Sequence, residues 1–345
     1  MNRKTARQLL DENIVIDTHL DLTVDLAMKH RTGRTNVILE DYMESFKAGG
    51  VDVIVSAIFI EAEFLPELAL KLALDQIACF YKELDNCNGA FVLATCTDDI
   101  YKAKAEGKLA IILALEGSEP INGHIEHLRI FYQLGVRVLG LCWSRSNWAG
   151  DGSRFFDFEY EGYGLTNAGR KMVEYAQELG MLVDITHTNE KTFWDVVNMS
   201  KKPLIATHSN TRAISNTPRN LSDEQIKAIG KLNGVIGVNG ANLITNFKSM
   251  KNASMEILAD HMVYEKQLLS SSENICIGLD QCDRIMSQVS SDLKDSSDDV
   301  IKDVIPSHAM LPEFVEILMK KGFSDDEIAA LLGNNVMRVF KETIG

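Results

Sequence analysis

Six side chains able to bind a metal or carry a proton recur along this sequence in the same setting, at the end of a short apolar run: His19, Asp21, Glu116, His187, His208 and Asp280. Imidazole nitrogens and carboxylate oxygens without a thiolate suit Zn²⁺, with Mn²⁺, Co²⁺ or Fe²⁺ as alternatives. A lone histidine in such a place reads as a hydrogen-bonded structural residue, and only the joint pattern points to a metal centre. Three histidines and two carboxylates exceed what one open catalytic ion needs. The set therefore divides over two ions with Glu116 as the bridge: His19 and Asp21 complete one, His187 and His208 the other. Asp280 is left to take and return the proton of an acidified water. Asp17 and Asp184, just ahead of the ligands, read as supports that orient ligand histidines.

Such a set converges only if the apolar runs are strands of one closed sheet. The runs at 14–17, 51–60, 109–115, 136–141, 181–185, 203–206, 234–238 and 274–278 number eight, the count that closes a (β/α)₈ TIM barrel with its reacting groups at the carboxyl ends of the strands. Between them lie stretches with helical spacing, at 65–84, 125–134, 168–179 and 223–232, with Gly135, Gly180 and Gly234 placed as helix stops. Additional C-terminal helices at 311–321 and 324–332, followed by Gly333 and a last apolar piece at 336–340, are expected to cap or flank the barrel. The whole chain, 1–345, reads as a single domain. Loops are expected at 270–273 and over the Ser/Asp-rich run 287–299.

Composition narrows the partners. A net charge of −14 disfavours nucleic acid and anionic membrane surfaces, which draw on Lys and Arg. The apolar runs fall short of the roughly 20 residues that span a bilayer. The N-terminal segment lacks the apolar stretch of a signal peptide, which leads to the expectation of a cytoplasmic protein. Six cysteines without a C-x-x-C spacing read as reduced, mostly buried thiols.

Longer strings around the same residues resemble the membrane (renal) dipeptidase family of zinc peptidases. They are Val15-Ile16-Asp17-Thr18-His19-Leu20-Asp21, Ala114-Leu115-Glu116-Gly117, the run from Gly180 to His187, Ala206-Thr207-His208-Ser209-Asn210, the run from Pro218 to Glu224, and the closing run from Gly333 to Phe340. The resemblance covers nearly the whole chain. It implies a barrel hydrolase with two zinc ions, usually a homodimer, that splits dipeptides and often accepts a D-residue at the carboxyl-terminal position. It implies metal roles for His19, Asp21, Glu116, His187 and His208. It also adds a role for Arg219, which matches the arginine that grips the free carboxylate of the dipeptide, a task suited to a planar guanidinium fork.

Three departures from the family pattern concern the substrate side. Trp143 stands where many members carry a substrate-contacting histidine after the fourth strand; it reads equally as core packing or pocket wall, with Arg145, Asn147 or the second zinc left to polarise the scissile carbonyl. After the eighth run the sequence is Gly278-Leu279-Asp280-Gln281-Cys282-Asp283, which keeps Asp280 but shifts the next acid by one. Val238-Asn239-Gly240-Ala241 lacks bulky aromatics, which points to a roomier pocket. The expected activity is dipeptide hydrolysis. Its alternatives are another amidohydrolase acting on N-acyl amino acids or lactams, and an inactive metal-binding barrel.

Overall fold

The structure, a computed structural model, describes residues 3–283 and 301–345; the expected loop at 287–299 lies outside them. Nine parallel strands form one sheet: β1 (Ile16–Leu20), β2 (Val53–Ile58), β3 (Phe91–Leu93), β4 (Leu109–Leu115), β5 (Val136–Gly140), β6 (Leu182–Asp184), β7 (Ile205–Ala206), β8 (Val235–Val238) and β9 (Ile275–Ile277). Pairing of β2 with β4 closes eight of them into a (β/α)₈ barrel in the order β1-β2-β4-β5-β6-β7-β8-β9. The ninth strand, β3, is absent from the sequence reading. It pairs with the first half of β4, through Phe91 to Leu109 and Leu93 to Ile111, while β5 takes the second half from Leu113 onward. Three residues between two helices are too short a run to stand out as a strand.

Alternation along β4 decides which side chains reach the axis. Ala110, Ile112 and Ala114 pack in the inner cluster with Val53, Val55 and Leu182, whereas Ile111, Leu113 and Leu115 pack outward against the helices. The next residue in phase with Ala114 is Glu116, which the two-residue period therefore turns inward at the carboxyl end. β1 departs from this period. Its register against β2 shifts between Asp17 and Leu20, so that an extra residue is accommodated there and His19 is re-aimed to the axis.

The helices carry the expected stop and start signals. Asn167–Leu179 starts at Thr166, whose hydroxyl accepts from Gly169 N–H, and ends at Gly180 in a left-handed conformation, φ 80°. Gly234 is not a helix stop, contrary to expectation. The left-handed position falls on Asn233, φ 54°, and Gly234 is required instead because a Cβ there would lie 2.4 Å from Leu204 O. The C-terminal helix Asn335–Thr343 does more than flank the barrel. Val336, Val339 and Phe340 are fully buried in the inner cluster and plug the end opposite the carboxyl rim, while Asn335 Nδ2 donates to Ser272 O at 2.7 Å and Ile275 O at 2.8 Å. Among the described residues no helix is long and apolar enough to cross a membrane.

Candidate active site and metal centre

The strand ends bring the expected ligands together. Ligand atoms of His19, Asp21 and Glu116 lie within 4.8 Å of one another, as do those of Glu116, His187 and His208, and those of His19, His208 and Asp280. Glu116 belongs to two groups because its oxygens face apart. Oε2 is 3.6 Å from His19 Nε2, and Oε1 is 3.1 Å from His187 Nε2 and 3.6 Å from His208 Nε2.

The hydrogen bonds behind the imidazoles fix what they present. Thr207 Oγ1 donates to Asp184 Oδ2 at 2.6 Å, so its 2.8 Å contact with His208 Nδ1 must be accepted from the ring N–H. That tautomer leaves His208 Nε2 as a bare lone pair aimed at the cluster. His187 Nδ1 lies 2.8 Å from Ser144 Oγ, and its Nε2 is 2.9 Å from His208 Nε2. Two ring nitrogens and a carboxylate oxygen thus meet at one point, with Arg219 Nη2 3.3 Å from His187 Nε2, a convergence of lone pairs that suits a cation among them. On the other side, His19 Nε2 and Asp21 Oδ1 are buried without a hydrogen-bond partner among the described residues. Orphaned buried acceptors of this kind are costly unless a metal or proton satisfies them, so the donor set fits divalent ions.

Electrostatics agree. Burial pushes His187 down to about 3, helped by the Arg219 charge, and also drives His208 well down, so both rings stay neutral, as ligands must. Burial opposes protonation of His19, yet Glu116, Asp280 and Asp21 outweigh it and raise the ring to about 10. Burial and the Glu116 charge push Asp21 well up; burial would do the same to Glu116, but His19 and His187 hold it below the usual range. The carboxylates thus concentrate negative charge around His19, which favours a positive charge at that position. Asp280 is lifted to about 6 by burial, with His19 opposing and Glu116 reinforcing. Its Oδ1 lies 3.7 Å from His19 Nε2 and its Oδ2 accepts from Asn239 Nδ2 at 2.8 Å. His187 and Asp280 both adopt left-handed backbone, φ 65° and 53°, a conformation uncommon outside glycine and frequent at functional sites.

The remaining assignments divide. Arg219 is brought to the cleft, 4% exposed. Its Nη2 donates to His208 O at 2.8 Å, Nη1 donates to Ser209 Oγ at 3.1 Å, and Nε is buried without a partner among the described residues. Trp143 is wall, not core: its ring stands 5.4 Å from His187 and 5.5 Å from Phe59 on the margin of the cleft. Asn147 is not brought to the site. Its amide donates to Leu141 O at 2.9 Å and accepts from Ala149 N–H at 2.8 Å, which commits it to the shape of its own loop. Arg145 is likewise spent on Glu119 Oε1, 2.9 Å, and Ile60 O, 2.7 Å. Asp17 does not orient the His19 ring. Oδ1 accepts from the backbone N–H of His19 and of Leu279, at 3.2 and 2.9 Å, and Oδ2 pairs with buried His308 Nε2 at 2.7 Å.

The cleft above these groups is about 410 Å³ and mostly apolar, with Phe155, Phe156, Leu243 and Ile244 beside Trp143. Phe155 and Phe156 come from an aperiodic loop with no signal in the sequence. Ser144, four residues past the end of β5, and Asn239, directly after β8, were also missed; Thr207, next to His208, was the most findable.

The family model described as Membrane dipeptidase (Peptidase family M19) matches residues 3–344. An uncharacterized Klebsiella pneumoniae protein encoded in the pqqA 5′ region is 30% identical over 77% of this chain and 94% of its own length. An uncharacterized Acinetobacter calcoaceticus protein from the PQQ-III 3′ region is 34% identical over 55% of this chain, and the match spans 59% of that protein's length. Among solved structures, a Rhodobacter sphaeroides metallo peptidase liganded with a phosphinate mimic of L-Ala-D-Ala superposes with a TM-score of 0.82, 25% identity, and coverage of 96% of this chain and 99% of the other. By the near-complete family match and the ligand geometry together, the chain belongs to the membrane dipeptidase family.

Proposed function

We infer that the chain is a metal-dependent dipeptidase that holds two divalent ions, zinc foremost, and hydrolyses the peptide bond of dipeptides, including those with a carboxyl-terminal D-residue. The observation that carries this reading is the opposed placement of the Glu116 oxygens, one toward His19 and the other toward His187 and His208, with a buried arginine in the same cleft. His19 and Asp21 would hold one ion and His187 and His208 the other, with Glu116 shared. Bound there, such ions supply Lewis acidity and acidify water at neutral pH.

The chain's own residues do the rest. Arg219 offers its unpartnered Nε–H and charge to the substrate carboxylate. Asp280, lifted toward neutrality and steadied by Asn239, is poised to accept a proton at Oδ1 and pass it to the leaving amine. Trp143, Phe155 and Phe156 keep water from the reacting bond and take apolar side chains. The L-Ala-D-Ala mimic bound by the Rhodobacter sphaeroides relative supports a dipeptide of mixed chirality as substrate. A homodimer and a cytoplasmic location form part of the proposal, the first drawn from the family resemblance.

A second reading, hydrolysis of N-acyl amino acids, draws on the apolar walls. Purified protein reconstituted with zinc, screened against L-L and L-D dipeptides and N-acyl-D-amino acids, separates the two. Two bound ions per chain with no turnover of any dipeptide would sink the dipeptidase reading; ultracentrifugation of the same sample tests the dimer.

A further inference from the structure

The mouth of the barrel has one positive and one negative wall that the reaction chemistry does not use up. In the closed order of strands, β2 and β7 stand opposite each other. The β7 side carries the Arg219 guanidinium, anchored to His208 O just past the strand. The β2 side carries Glu61, three residues past that strand, which lines the same cleft as Asp21, Glu116 and Arg219. Among the described residues, no hydrogen bond or ion pair engages the Glu61 carboxylate. Arg145, the one cation acting on it, is held by Glu119 Oε1 and Ile60 O. Partial burial, Glu63 and Glu116 all push the Glu61 carboxyl up, which marks a place where a further positive charge is favourable.

A dipeptide in neutral water is a zwitterion, with an ammonium and a carboxylate about 7 Å apart when extended. With the carboxylate on Arg219, the amino end is directed across the mouth to the β2 side. We propose that Glu61 receives the free α-ammonium of the substrate, and so makes the site select unblocked dipeptides over N-acyl amino acids. This rests on the dipeptidase reading and adds its amino-end specificity. Glu61 is a binding residue in this scheme; it moves no proton.

The test pairs two ligands that differ only in the ammonium: L-Ala-L-Phe and propionyl-L-Phe as substrates, and the phosphinate mimic of L-Ala-D-Ala and its des-amino analogue for calorimetry. All are measured on zinc-loaded wild type, Glu61→Gln and Glu61→Asp. Wild type is expected to favour the amine-bearing member of each pair by about tenfold or more in KM and Kd. Glu61→Gln should abolish most of that preference by raising KM for L-Ala-L-Phe with little change in kcat, and Glu61→Asp should restore part of it. Retention of the preference in Glu61→Gln, or an equal loss on both members of a pair, would overturn the proposal. If wild type turned over neither substrate, the dipeptidase reading would fail separately, and calorimetry would still decide: a preference lost in Glu61→Gln supports the ammonium site, and one kept overturns it.

Discussion

Asp280 and Arg219 are the two residues on which a merely metal-binding barrel would not depend. Asp280 sits where its carboxylate can exchange a proton, 3.7 Å from His19 Nε2 and bonded to Asn239. Asp280→Asn preserves shape and removes the exchangeable proton. The expected result is metal content near that of the wild type and a fall in kcat of about 10²-fold or more. Elemental analysis beside steady-state kinetics checks it, and wild-type turnover in the variant would take the proton-transfer role away from Asp280. For Arg219 the informative change is to lysine, which keeps charge but not the fork. KM for a dipeptide should rise about tenfold, while a substrate with an amidated carboxyl end should be affected little. Equal losses on the two would mean that Arg219 acts by holding the β7 end through His208 O and not by gripping a carboxylate.

Neighbouring strands cooperate to aim each imidazole. His208 is held by Thr207, which is held in turn by Asp184 at the end of β6, while His187 leans on Ser144 beyond β5. Partners of this kind set tautomer and ring orientation. Thr207→Val keeps the shape and deletes the hydroxyl that fixes the His208 N–H. Metal affinity is expected to fall about 10- to 100-fold, read by competition with a chelator; an unaltered affinity would show that backbone geometry alone aims the ring. The ligands themselves were legible in the sequence because each ends an apolar strand, and the two-residue period settles the direction of Glu116 without further information. Their supports were less legible. Ser144 follows a strand whose neighbouring loop gives no periodic signal, Asp17 turned out to serve the backbone and His308, distant in sequence, and the register shift that aims His19 depends on β2. Asn147 failed as a site residue for a local reason: an asparagine in a tight loop satisfies nearby backbone groups before it reaches a cleft. Glu61 escaped because it follows an apolar run without a metal-binding pattern around it.

At the scale of the whole molecule, the barrel is closed at one end by Asn335–Thr343 and ringed by helices, and this outer packing contains a group at odds with it. Glu265, on the helix Met255–Leu269, is fully buried, and both its carboxylate oxygens lack a hydrogen-bond partner among the described residues. Burial alone drives its pKa well above the ordinary 4.5, so the folded protein keeps the proton at pH values where the unfolded chain has released it. The sign of the linkage follows. Below about pH 4.5 both states are protonated and the residue adds no pH dependence. Above it the unfolded state gains from ionisation and the folded state does not, so stability is lost with rising pH by at most about 1.4 kcal/mol per unit, until the folded group itself titrates. Glu265→Gln retains size and removes the ionisation. Denaturant unfolding of zinc-loaded protein should show the variant gaining on the wild type progressively from pH 5 to pH 8, with the difference flat below about pH 4.5. The active-site carboxylates contribute equally to both proteins and cancel in the comparison. A difference independent of pH would mean that Glu265 is ionised in the folded state and has a compensating partner.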